Sequence, residues 1–97
     1  MSWLHIMSLA KYRSIQRKIM ILATVQKHRK MSASQAVSWS HIRGSAGMRA
    51  IDELAGGGCL VKQANGGQGL GYAVMLSEKG ADILRKYREM LGLLEDC

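Results

Sequence analysis

Four glycines crowd the stretch NGGQGLG, residues 65 to 71. Glycines at that density bring backbone close to a phosphate or turn it sharply. Gly67, Gly69 and Gly71 give G-x-G-x-G, whereas a dinucleotide site needs G-x-G-x-x-G followed by a helix; here the strand-like run YAVML follows. A Walker loop is excluded too, because no Gly-Lys-Ser/Thr closes the run. The stretch therefore reads as the flexible tip of a hairpin. Other reactive residues are scattered. His5, His28 and His41 have no spacing that puts two of them on one helix face as metal ligands. Asp52 and Glu53 are adjacent, so on a helix they point to different sides and form no acid–base pair. Cys59 and Cys97 show no CxxC spacing and read as a core thiol and a terminal thiol, with a bridge, within the chain or between two Cys97, as the alternative. The expectation is a protein without catalysis, cofactor or metal.

The chemistry these residues do support is electrostatic. Residues 1 to 51 carry nine basic groups, Lys11, Arg13, Arg17, Lys18, Lys27, Arg29, Lys30, Arg43 and Arg49, and no acid. Residues 52 to 97 carry five basic and seven acidic groups. Solubility does not require half a chain without acids. A one-sided positive field attracts a polyanion, either nucleic acid or an anionic membrane. The membrane is the weaker reading. The longest apolar run, Ile19 to Ala23, is far too short to span a bilayer, and the basic first helix has a narrow apolar face. No signal peptide is visible, so a soluble, cytoplasmic protein with no membrane partner is expected. A length of 97 residues suggests one domain.

The elements that must carry this charge can be read in order. SIQRKIMILATVQKHRK (14–30) is helical, with Ser14 as cap and Ile15, Ile19, Leu22 and Val25 on one face. Ser32 or Ser34 caps a short second helix whose buried candidates are Ala36, Val37, Trp39 and Ile42. Gly44 suits the left-handed end of that helix, and Ser45 the cap of the next. In AGMRAIDELAGG, Gly47, Ala50, Ile51 and Leu54 share a face, and Gly56 to Gly58 stop the helix. CLVKQA (59–64) and YAVML (72–76) read as strands joined into a hairpin. Ser77 then caps a last helix in which Leu84, Tyr87, Leu91 and Leu94 repeat at heptad spacing, with Ile83 and Met90 alongside.

Two helices joined by a tight turn, a hairpin and a long helix form the order of a winged helix-turn-helix domain. Specific residues carry the likeness. GMRAIDELAGGGCLVKQ, with Leu54 and Gly58, resembles the recognition helix and first wing strand of MarR-type and PadR-type regulators. YAVMLSEKGADIL, with Tyr72, Leu76, Ser77 and Gly80, resembles their second wing strand and the start of the last helix. The resemblance spans about residues 14 to 90. Gly56 and Gly57 stand where that family usually has charged residues, and the loop tip has no Arg or Lys.

The resemblance implies an α+β, mainly helical fold with a two-stranded wing. The chain divides into an N-terminal extension (1–13), the winged domain (14–80) and a dimerisation helix (81–97). It also implies a homodimeric transcriptional regulator of double-stranded DNA. The helix from Ser45 to Ala55 would enter the major groove, with Arg49 reading guanine and Ser45, Ala46 and Met48 on or beside the same edge. Ser32, Ser34 and Arg43 would touch phosphates. Lys62, Gln63, Asn65 and Gln68 would serve the wing. Leu84, Tyr87, Leu91 and Leu94 would form the dimer interface. Two rivals remain. A winged helix used for protein–protein contact does not require the basic half, and RNA binding would favour more exposed strand aromatics than Tyr72.

Overall fold

The computed structural model describes residues 9–64 and 72–97. Its elements are α1 (Leu9–His28), β1 (Lys30–Ser32), α2 (Ala33–Trp39), α3 (Gly44–Gly56), β2 (Leu60–Ala64), β3 (Tyr72–Leu76) and α4 (Glu78–Glu95). The class is α+β and mainly helical. The hairpin tip predicted at 65–71 lies outside the described residues, as does most of the N-terminal extension.

The first helix starts earlier than its sequence suggested. Leu9 to Arg13 contain no helix breaker, so α1 runs through Ser14, which is an interior residue and not a cap. The boundary expected at 13/14 thus falls inside α1, and the one at 80/81 inside α4. Arg29 ends α1 in the left-handed conformation (φ 65°) and turns the chain into β1. The sheet has three antiparallel strands in the order β1–β3–β2, where a two-stranded hairpin was expected. β1 pairs Lys30 with Met75, Met31 with Val74 and Ser32 with Ala73. It occupies the edge of β3 that would otherwise expose unpaired N–H and C=O groups. Three residues are too few to show alternation, so nothing local marks them as a strand.

One core lies between the helices and the sheet. It gathers Ile21, Leu22 and Val25 of α1, Met31, Ala33, Ala36, Ile51, Leu54, Leu60, Val74 and Leu84. The predicted stripe on α1 is rotated: Ile15 is 55% exposed, and Ile21 is fully buried in its place. α1 is embraced by α2, α3, α4 and β3, so its buried arc is wider than one amphipathic stripe. Trp39 is another correction. It is 48% exposed, and its ring packs on His28 with centroids 4.5 Å apart, while Ala36 one turn earlier fills the interior.

Short-range chemistry fixes the ends of the remaining helices. Ser32 and Gln35 form a reciprocal capping box at the start of α2. The left-handed residue that follows α2 is His41 (φ 59°), not Gly44, which is already the first residue of α3. Ser45 therefore lies in the first turn of α3. The N-cap position is Arg43, whose side chain makes no cap hydrogen bond. The corner is held by tertiary contacts instead. Buried Ser40 donates to Thr24 Oγ1 (3.1 Å), and Thr24 donates to the Met20 carbonyl (2.8 Å). At the far end of α3, Gly58 (φ 81°) reverses the chain, and the Lys79 ammonium reaches the Gly57 carbonyl at 2.7 Å. Ser77 caps α4 by accepting from Gly80 N–H, and its hydroxyl donates to the Gly58 carbonyl.

Candidate nucleic-acid interface

α3 buries one side and presents the other. Gly47, Ala50, Ile51 and Leu54 face inward, as their spacing predicts. Gly47 is where α3 meets α2: a Cβ there would run into the Val37 methyls. The opposite edge carries Ser45, Met48, Arg49 and Asp52, all exposed. Ala46 is half-buried at the margin of that edge.

Arg49 has company that the sequence did not suggest. Ser14, Arg17, Ala46, Arg49, Ala50 and Glu53 line one open hollow of about 200 Å³ between α1 and α3. Arg17 and Arg49 thus share a rim, although 32 residues separate them. Among the described residues no ion pair engages either guanidinium. Glu53, on the α1 side of Arg49, pairs with Lys18 at 3.4 Å. The acid-free composition of residues 1–51 was the one signal that could have flagged Arg17.

The remaining predicted contact residues are dispersed around this edge. The Ser32 hydroxyl accepts from the Gln35 N–H (3.1 Å) and lies 3.3 Å from the Ser34 hydroxyl, so its first role is capping. Ser34 and Arg43 are exposed. On β2, Lys62 and Gln63 are exposed, whereas Asn65 and Gln68 lie outside the described residues. Lys62 donates to Asp52 Oδ1 at 2.9 Å, and its Nζ lies 4.6 Å from the centre of the Tyr72 ring. The Tyr72 hydroxyl also donates to Asp52 Oδ1, at 3.4 Å. The hydrogen bond that Lys62 donates to Asp52 pushes the Lys62 pKa up, against the opposing effect of desolvation.

The residues expected at a dimer interface differ in exposure. Leu84 is 1% exposed and belongs to the chain's own core, so it offers no contact face. Tyr87 is half-buried and lines a hollow of about 570 Å³ with Ile19, Met20, Ala23 and Ile42. Leu91 and Leu94 are exposed, with Met90 and Leu93 beside them. Cys59 is buried, Cys97 is exposed, and both are free thiols. Among the described residues no helix is long and apolar enough to cross a membrane. No family model matches this chain, and no curated protein matches it either.

Proposed function

We propose that this chain is a sequence-specific double-stranded DNA-binding transcriptional regulator of the winged helix-turn-helix type, acting as a homodimer. The observation that carries the reading is the outward edge of α3. It offers Arg49, with Arg17 beside it, from a half-chain that holds nine basic groups and no acid before Asp52. A helix of 13 residues is about 20 Å long and about 10–12 Å across with its side chains, which suits a major groove about 12 Å wide. In this reading α3 lies in that groove with Arg49 on base edges, α2 and the following turn bring Ser34 and Arg43 to phosphates, and the β2–β3 hairpin serves as the wing.

A large share of the binding free energy in such a complex is electrostatic. With about 6–10 phosphate contacts per dimer, affinity for a labelled duplex is expected to fall by roughly 10³–10⁵ between 50 and 200 mM salt. Equilibrium titration at several salt concentrations measures this. A flat response, or no binding at the lowest salt, rejects the DNA reading. It would favour a winged-helix module for protein contact, a role for which the exposed apolar end of α4 is suited.

A further inference from the structure

The first acid in the chain stands on the same outward edge as Arg49. Asp52 follows Arg49 by three residues and so shares its face of α3, on the side toward the hairpin. Its Oδ1 is the meeting point of three elements: Lys62 of β2 donates at 2.9 Å and the Tyr72 hydroxyl of β3 at 3.4 Å. Tyr72 is the diagonal cross-strand neighbour of Lys62, since Lys62 pairs with Val74, and its ring steers the ammonium toward α3. We propose that Asp52 is an affinity-limiting residue of the DNA-facing surface: its carboxylate competes with phosphate for Lys62 and repels the backbone of any duplex. The inference rests on the DNA-binding reading above and assigns Asp52 a role within it.

The physical argument compares what DNA can displace with what it cannot. The Lys62 and Asp52 side chains are 42% and 61% exposed, so the pair is weakly held and a phosphate can compete for the ammonium. The negative charge of Asp52 remains beside the sugar–phosphate backbone after that exchange. It opposes binding at every register along a duplex. Only where Arg49 meets its base is the opposition offset by a bidentate contact. A repulsive element of this kind weakens every complex by a similar factor, so that random DNA is released while a site that Arg49 reads stays occupied. Glu53 has a different position, turned toward α1 and Lys18.

The test uses the full chain and a labelled random-sequence duplex, titrated at several salt concentrations. Asp52→Asn keeps a hydrogen-bond acceptor for the Tyr72 hydroxyl and removes the charge. It is expected to bind the random duplex more tightly, with a log–log salt slope steeper by about 0.9 per protomer, equivalent to one more phosphate contact. The affinity for a duplex selected from a random pool is expected to rise by a similar factor, because the repulsion acts at every register. In the combined variant Asp52→Asn, Lys62→Ala the slope is expected to return to that of the wild type. Asp52→Ser serves as a second charge-removing variant, and circular dichroism checks that each protein is folded. Unchanged or weaker binding by folded Asp52→Asn and Asp52→Ser, on a duplex the wild type binds, overturns the inference and leaves the DNA reading standing. A steeper slope retained in the combined variant overturns the role of Lys62. Failure of the wild type to bind duplex at low salt removes both.

Discussion

At the residue scale the argument turns on Arg49. Its guanidinium sits at the rim of the α1–α3 hollow with an exposed outward edge on either side, and a planar fork of donors there matches the two acceptors of guanine. Arg49→Ala is expected to cost about 1–3 kcal/mol on the preferred duplex and much less on random DNA. Arg49→Lys keeps the charge and loses the fork, so it should retain random binding and lose discrimination. Lys62→Ala leaves the Asp52 charge unpaired beside the backbone and is expected to weaken both complexes alike. Fluorescence anisotropy on the two duplexes distinguishes these outcomes, and equal losses for Arg49→Ala on both would show that Arg49 contacts only the backbone. Arg17 is the natural control, since it shares the rim but comes from α1.

At the element scale the orientation of α3 depends on how closely it approaches α2. Gly47 permits that approach, because a methyl group in its place meets the branched side chain of Val37. In an unconstrained helix, Gly→Ala would stabilise by up to about 1 kcal/mol. Here the overpacking should dominate, and Gly47→Ala is expected to destabilise by about 1–3 kcal/mol. Combining it with Val37→Ala vacates the space and should recover part of the loss. Urea unfolding of the three variants measures this. If Gly47→Ala alone is as stable as the wild type, α2 and α3 can separate without cost and the outward edge of α3 is not rigidly set. Gly80 has a comparable task at the other end of the domain, where a Cβ would run into the Cys59 carbonyl. Close packing there docks the start of α4 against the strand that carries Lys62.

At the scale of the whole molecule the unresolved demand is the end of α4. Every residue from 88 to 97 is exposed, yet Leu93 and Leu94 are 70% and 59% accessible and Met90 and Leu91 lie next to them. Salt bridges of Asp82 with Arg85 and Lys86 support the helix nearer its start, but exposed pairs contribute little. An apolar helix end without packing is covered most simply by the same end of a second copy. The wild type is therefore expected to sediment as a dimer at tens of micromolar, and Leu91→Asp or Leu94→Asp as a folded monomer. A symmetric dimer would hold its two α3 helices about 34 Å apart, one turn of DNA, and select palindromic sites. A monomeric wild type rejects the dimer and the palindrome together. Dimeric aspartate variants would move the interface away from the end of α4.

Several signals confined to neighbouring residues were legible in the sequence, although the caps expected at Ser14 and Ser45 and the helix end at Gly44 were not found there. The caps at Ser32 and Ser77, the glycine stop after α3 and the inward face of Gly47, Ala50, Ile51 and Leu54 each depend on contacts within a few turns of one helix. The acid-free first half was legible for the same reason, since charge is a property of composition. What the sequence left open was decided by which surfaces meet. β1 is a strand because β3 offers it an edge, and Ile21 is buried where Ile15 is not because several elements enclose α1. Leu84 and Leu91 belong to one heptad pattern, but only Leu84 lies within reach of the core. The joining of Arg17 to Arg49, and of Asp52 to Lys62 and Tyr72, has the same origin. Each brings together side chains from different elements, and their distance depends on the packing of those elements and not on any spacing along the chain.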